Sequence, residues 1–70
     1  MKLIELAAKM PPEQLVKIKY FDRHVGVTEV VTTADRIAKP DFRAEWRSVQ
    51  NMEFDELYAI GNCVIVWGKP

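Results

Sequence analysis

The stretch "MKLIELAAKM" places Leu3, Leu6, Ala7 and Met10 at i, i+3, i+4 and i+7. That spacing is one face of a helix, and it predicts a short helix over residues 2–10. Pro11 and Pro12 end it, because proline disfavours helical geometry in the residue before it. Val16, Ile18 and Tyr20 then alternate with Lys17 and Lys19. This is the period-2 pattern of a half-buried strand, with the lysines turned to water. "DRHVG" carries turn residues, and "VGVTEVVTT" is rich in β-branched side chains. Together they predict a hairpin with a loop longer than two residues. Val27 and Val31 share a face with Glu29, so the pattern leaves the register of this second strand open.

Further on, Thr32 and Asp35 have capping-box spacing and predict a helical turn. Pro40 breaks that turn or opens a second helix. Phe42, Trp46 and Val49 form a stripe that predicts this helix from about Pro40 to Ser48, with Arg43 and Arg47 beside it. Two apolar runs, "EFDELYAI" and "CVIVW", flank Gly61–Asn62. Gly followed by Asn suits a tight II′ or I′ turn. In the first run Phe54, Glu56, Tyr58 and Ile60 are expected on one face. In the second, Cys63, Ile65 and Trp67 share one face and Val64 and Val66 the other. A strand apolar on both sides is central in its sheet, or is covered by a partner.

These elements add up to one α+β domain over residues 1–70: a small two-layer fold of about four mainly antiparallel strands and two short helices. The helices cover one face of the sheet. The other is expected to stay partly apolar through Val64, Val66 and Leu57, which suggests a homodimer or a binding face. The domain is small enough that its stability margin is thin. It has one cysteine, Cys63, and one histidine, His24, so neither an internal disulfide nor a four-ligand zinc site is expected. No cofactor is implied.

Ten Lys and Arg balance ten Asp and Glu, and the charges are interspersed. A duplex-binding module usually carries excess positive charge, so nucleic acid is not an expected partner. Glu5 and Lys9 interrupt the N-terminal apolar run, which argues against a signal peptide. No stretch approaches the roughly 18 apolar residues of a membrane span. With a lone thiol, the expectation is a cytoplasmic protein with no membrane contact.

"MKLIELAAKMPPEQLVKIKYFD" resembles the opening of small phage and prophage accessory proteins of Gram-positive bacteria, and "ELYAIGNCVIVW" resembles their closing hairpin. The middle, "TTADRIAKPDFRAEWRSVQ", is longer and more aromatic than that family's pattern. The resemblance carries no catalytic or ligand residue. It implies an accessory role in a phage or mobile element, exercised in the host cytoplasm by binding a host protein or a signalling molecule.

Candidate chemistry is sparse. Cys63 with His24 would make a nucleophilic pair, but Cys63 lies in an apolar run beside a turn and reads as a packed thiol. Arg23 and His24 sit in a loop and could recognise a phosphate or carboxylate, against the plainer reading of two solvated side chains. Arg43 and Arg47 beside Phe42 and Trp46 suit a protein hot spot or nucleotide stacking, whereas the two aromatics alone read as a core stripe. Trp67 either closes the core over the first helix or anchors an interface. Glu53 and Asp55 would share a face of a strand, but with no third ligand nearby the cluster Glu53, Asp55 and Glu56 reads as a solvated edge.

The expected function is therefore a non-enzymatic binding protein that inhibits or sequesters a host protein. Its surface would combine the open sheet face with the aromatic–arginine helix, drawing on Tyr20, Arg23, His24, Arg43, Trp46, Arg47 and Trp67. The alternative is an oligomeric binder of a nucleotide signal that counters host defence, with a pocket lined by Tyr20, Arg23, Arg43 and Trp46. An enzyme resting on Cys63 and His24 ranks last.

Overall fold

A computed structural model, which describes residues 1–41 and 43–69, shows three short helices against one four-stranded sheet. The elements are α1 (Leu3–Ala7), β1 (Leu15–Asp22), β2 (Gly26–Thr33), α2 (Ala34–Ala38), α3 (Ala44–Gln50), β3 (Glu53–Ile60) and β4 (Cys63–Lys69). The strand order is β2-β1-β4-β3. Both hairpins are antiparallel, and the central strands β1 and β4 run parallel. The fold is thus the expected small α+β domain, with a third helix and one parallel pair added. The parallel pair requires a crossover, and α2 and α3 supply it.

Helix α1 is shorter than its apolar spacing predicts. Glu5 accepts the N–H of Lys2 at 2.9 Å and so opens the helix. At its end Lys9 and Met10 donate to Leu6 and Ala7, both at 3.1 Å. These i→i−3 bonds tighten the last turn ahead of the two prolines. The proline turn has a second task. The carbonyls of Gln14 and Pro12 accept the N–H groups of Ala34 and Asp35 at 2.9 and 3.0 Å. Those are donors at the start of α2 that no helical carbonyl reaches.

The cap of α2 is Thr33, not Thr32, and its hydroxyl bonds the Asp35 carboxylate. Helix α3 begins at Ala44, so Pro40 lies outside it. Phe42, the first residue of the expected apolar stripe, lies outside the described residues; Trp46 and Val49 do turn inward.

The core is Leu3, Ala7, Val16, Ile18, Ala34, Ile37, Val49, Met52 and Val66. Register explains the membership. Val16 pairs with Val64, and Ile18 with Val66 and Val30. Paired residues point to the same side of a sheet, so these side chains all face the helices. This reverses one expectation: Val64 and Val66 line the covered face, and Cys63, Ile65 and Trp67 the uncovered one. A second correction concerns β3. The register shifts between Phe54 and Glu56, so Asp55 is a bulge. Phe54 therefore packs on the core, while Glu56, Tyr58 and Ile60 stay together on the opposite face.

The β3–β4 turn has two residues, as its Gly–Asn pair predicts. Gly61 takes φ +61° and Asn62 no positive φ, the II′ pattern. Gly61→Ala is expected to cost about 1 kcal/mol, because an alanine is strained in that left-handed position. Urea denaturation checks this, and an unchanged midpoint would show that the turn does not depend on glycine.

Candidate functional site

The face of the sheet opposite the helices carries three cross-strand rows. The first runs Thr33, Leu15, Cys63, Ile60; the second Val31, Lys17, Ile65, Tyr58; the third Glu29, Lys19, Trp67, Glu56. Phe21 and Val27 pair beyond them. Leu15, Phe21, Val27, Val31, Tyr58 and Ile60 are large apolar side chains exposed by 38–62%. Singly exposed apolar residues are ordinary, but these six share one side of a small sheet, interrupted by Lys17, Lys19 and Glu29.

Trp67 lies at the centre of the third row, half-buried. The Lys19 ammonium is 5.6 Å from its ring centroid and 3.5 Å from the Glu29 carboxylate. A cation over an indole is attracted by the negative ring face. Lys19 thus holds Trp67 against the sheet from above, and Glu29 holds Lys19. The tryptophan does not close the core over α1; it is on the other side of the sheet.

The remaining candidates lie on the helix side. Tyr20, Arg43 and Trp46 share a groove of about 250 Å³ with Val30 and Val49. Tyr20, Arg23 and His24 line a neighbouring cleft of about 620 Å³ together with Glu45 and Ser48. Arg43 is engaged within its own segment: its guanidinium donates to the two Asp41 carboxylate oxygens at 3.1 and 3.0 Å. Those bonds hold the Asp41 carboxyl below its usual range and raise Arg43 above its own. The Trp46 indole donates to the Arg36 carbonyl at 3.0 Å, which ties α3 to α2. Arg47 is exposed on α3. The open sheet face and the aromatic–arginine helix therefore do not form one surface; the sheet separates them.

Cys63 and His24 are not brought together. Cys63 pairs with Leu15 at the start of β1, and His24 follows the end of that eight-residue strand. Such a strand spans about 23 Å. The His24 N–H donates to Asp22 at 2.7 Å and closes the β1–β2 loop. The acidic residues of β3 are also dispersed. Glu53 meets the Met1 amino group at 2.8 Å, which lowers its carboxyl, and Asp55 meets Lys69 at 3.5 Å. Among the described residues no group of three or more His, Cys, Asp or Glu could hold a metal ion, and no helix is long and apolar enough to cross a membrane.

Sequence reasoning missed Leu15, Phe21, Val31 and Ile60 as surface residues. The alternation of β1 already puts Leu15 and Phe21 on the face of Lys17 and Lys19, whereas Val31 and Ile60 join that face only through the registers of β2 and β4 with β1. Comparison of the chain with protein-family models, curated proteins and solved structures finds no match.

Proposed function

We propose that this chain is a non-enzymatic, phage-type accessory protein that binds a host protein in the host cytoplasm and thereby inhibits or sequesters it. The observation that carries this reading is the uncovered sheet face, which holds several exposed apolar side chains together with Trp67 and its Lys19–Glu29 support. Interfaces are enriched in aromatic anchors of this kind, and the exposed apolar side chains on the same face add contact area. The resemblance to small phage proteins supplies the host context.

The test compares three forms of the protein in native mass spectrometry of complexes recovered from a Gram-positive lysate. The unmodified chain is expected to carry one host protein at fixed stoichiometry. Trp67→Ala with Phe21→Ala should weaken that complex about 30-fold or more, the loss typical of a removed hot spot. Arg47→Ala, on the other side of the sheet, should leave it intact. A bare chain, or a complex lost with Arg47 and kept without Trp67 and Phe21, overturns the assignment.

One observation favours a second reading. Tyr20, Arg43 and Trp46 do meet in a groove, and Tyr20 also borders the cleft with Arg23. This gathers the residues a nucleotide-signal binder would use. A thermal shift with nucleotides that Arg23→Ala abolishes supports it; no shift with any nucleotide removes it.

A further inference from the structure

The two edges of the sheet place their charges differently. The β2 edge carries Glu29 in its middle, tied to Lys19. A charge there is a common guard against strand pairing. The β3 edge carries its guards in the first half, the charges of Glu53, Asp55 and Glu56 and the bulge at Asp55; Leu57–Ile60 has no charge, no proline and no bulge. Leu57, Tyr58 and Ile60 are exposed by 48%, 40% and 61%. Leu57 and Ala59 lie on the helix side of the strand, Tyr58 and Ile60 on the open side. This half of the edge is therefore apolar on both faces, and its outward backbone groups have no strand beside them.

The geometry points to a second copy of this chain as the occupant, paired antiparallel along β3. The pairable segment is bounded by the bulge at Asp55 and the turn at Gly61, leaving Glu56–Ile60. Its midpoint is Tyr58. Full overlap places Tyr58 on a twofold axis normal to the sheet, with Leu57 facing Ala59 and Glu56 facing Ile60 of the mate. Such an interface is self-complementary. Charge agrees with this orientation. Antiparallel pairing puts Asp55 and Glu53 of the two copies at opposite ends of the paired segment. Parallel pairing in register would set each carboxylate against its own copy, which is repulsive. The twofold keeps both helical layers on one side, so the two open faces join into one eight-stranded surface.

Dimerisation along β3 needs no host partner, so its failure and the failure of host-protein binding are separately visible. Sedimentation of the unmodified chain over a range of concentrations is expected to show a monomer–dimer equilibrium. Tyr58→Lys puts two like charges on the axis and should give a monomer. Trapping makes the register explicit. In a Cys63→Ser background, Tyr58→Cys and Ile60→Cys are each oxidised with diamide. Antiparallel partners lie about 4.5–5.5 Å apart at Cα, within disulfide reach, so Tyr58→Cys should crosslink to a dimer. Two copies of residue 60 would be about 13 Å apart along the strands, so Ile60→Cys should not. A strict monomer overturns the proposal, as does a dimer that persists in Tyr58→Lys or equal crosslinking at both positions.

Discussion

Ile18→Ala is expected to lower the unfolding free energy by about 3–4 kcal/mol, within the range for truncating a buried isoleucine. Ile18 is fully buried in the central strand β1. Val30 and Val66 flank it across the sheet, and it belongs to the cluster that includes Leu3 and Ile37 of the helices. Helices and neighbouring strands enclose the site, so it cannot collapse cheaply around a cavity. Natural domains have roughly 0.05–0.15 kcal/mol of stability per residue, so a loss of this size removes a large part of what a chain this short possesses. Ile65→Ala is the control. Ile65 is 7% exposed but lies on the open face, covered by its row neighbours rather than by a helix. Those neighbours can relax into the space, and the cost should be smaller, about 2 kcal/mol. Urea unfolding of the two variants measures the difference. Equal losses would mean that the open face is packed as tightly as the core, and would count against its role as a docking surface.

Much of the architecture was legible because it rests on local periodicity. The β1 alternation, the Gly61–Asn62 turn, the central place of β4 and the apolar side of α1 all follow from spacing within a few residues. What periodicity does not carry is phase between distant segments. Whether Cys63, Ile65 and Trp67 or Val64 and Val66 face the helices depends on β4 joining β1 in parallel, a contact between residues some fifty positions apart. Both sets are apolar, so the pattern of β4 does not distinguish them. The bulge at Asp55 was hidden for the same reason. Phe54, Glu56, Tyr58 and Ile60 read as one face until an extra residue is seen to flip Phe54. The candidate site inherited the error. Trp67 shares its face of the sheet with Phe21, Tyr58 and Leu15, not with Trp46 and Arg47.

Gln50 shows a further limit of the pattern, and it yields a sharp prediction. It is 1% exposed, a polar residue inside the helical layer. Its side-chain amide donates to the Ile37 carbonyl at 3.0 Å and to the Lys39 carbonyl. These are carbonyls at the C-terminal end of α2, where no further helical turn satisfies them. One side chain from α3 thus closes α2, beside the Trp46 bond to Arg36. Gln50→Leu keeps the volume but removes the donor, and should cost about 2–3 kcal/mol by leaving buried carbonyls unpaired. Gln50→Glu separates hydrogen bonding from shape. A protonated carboxyl can still donate to one carbonyl, whereas a carboxylate would be buried against two carbonyl oxygens. Both burial and that contact favour the neutral form, so the folded-state pKa of Glu at position 50 rises above its unfolded value of about 4.3. The variant should be most stable below the unfolded pKa and lose stability as pH rises through the folded one. Unfolding curves between acid and neutral pH, read against Gln50→Leu, test this. If Gln50→Glu loses no stability over that range relative to Gln50→Leu, the side chain at position 50 reaches water and does not cap α2.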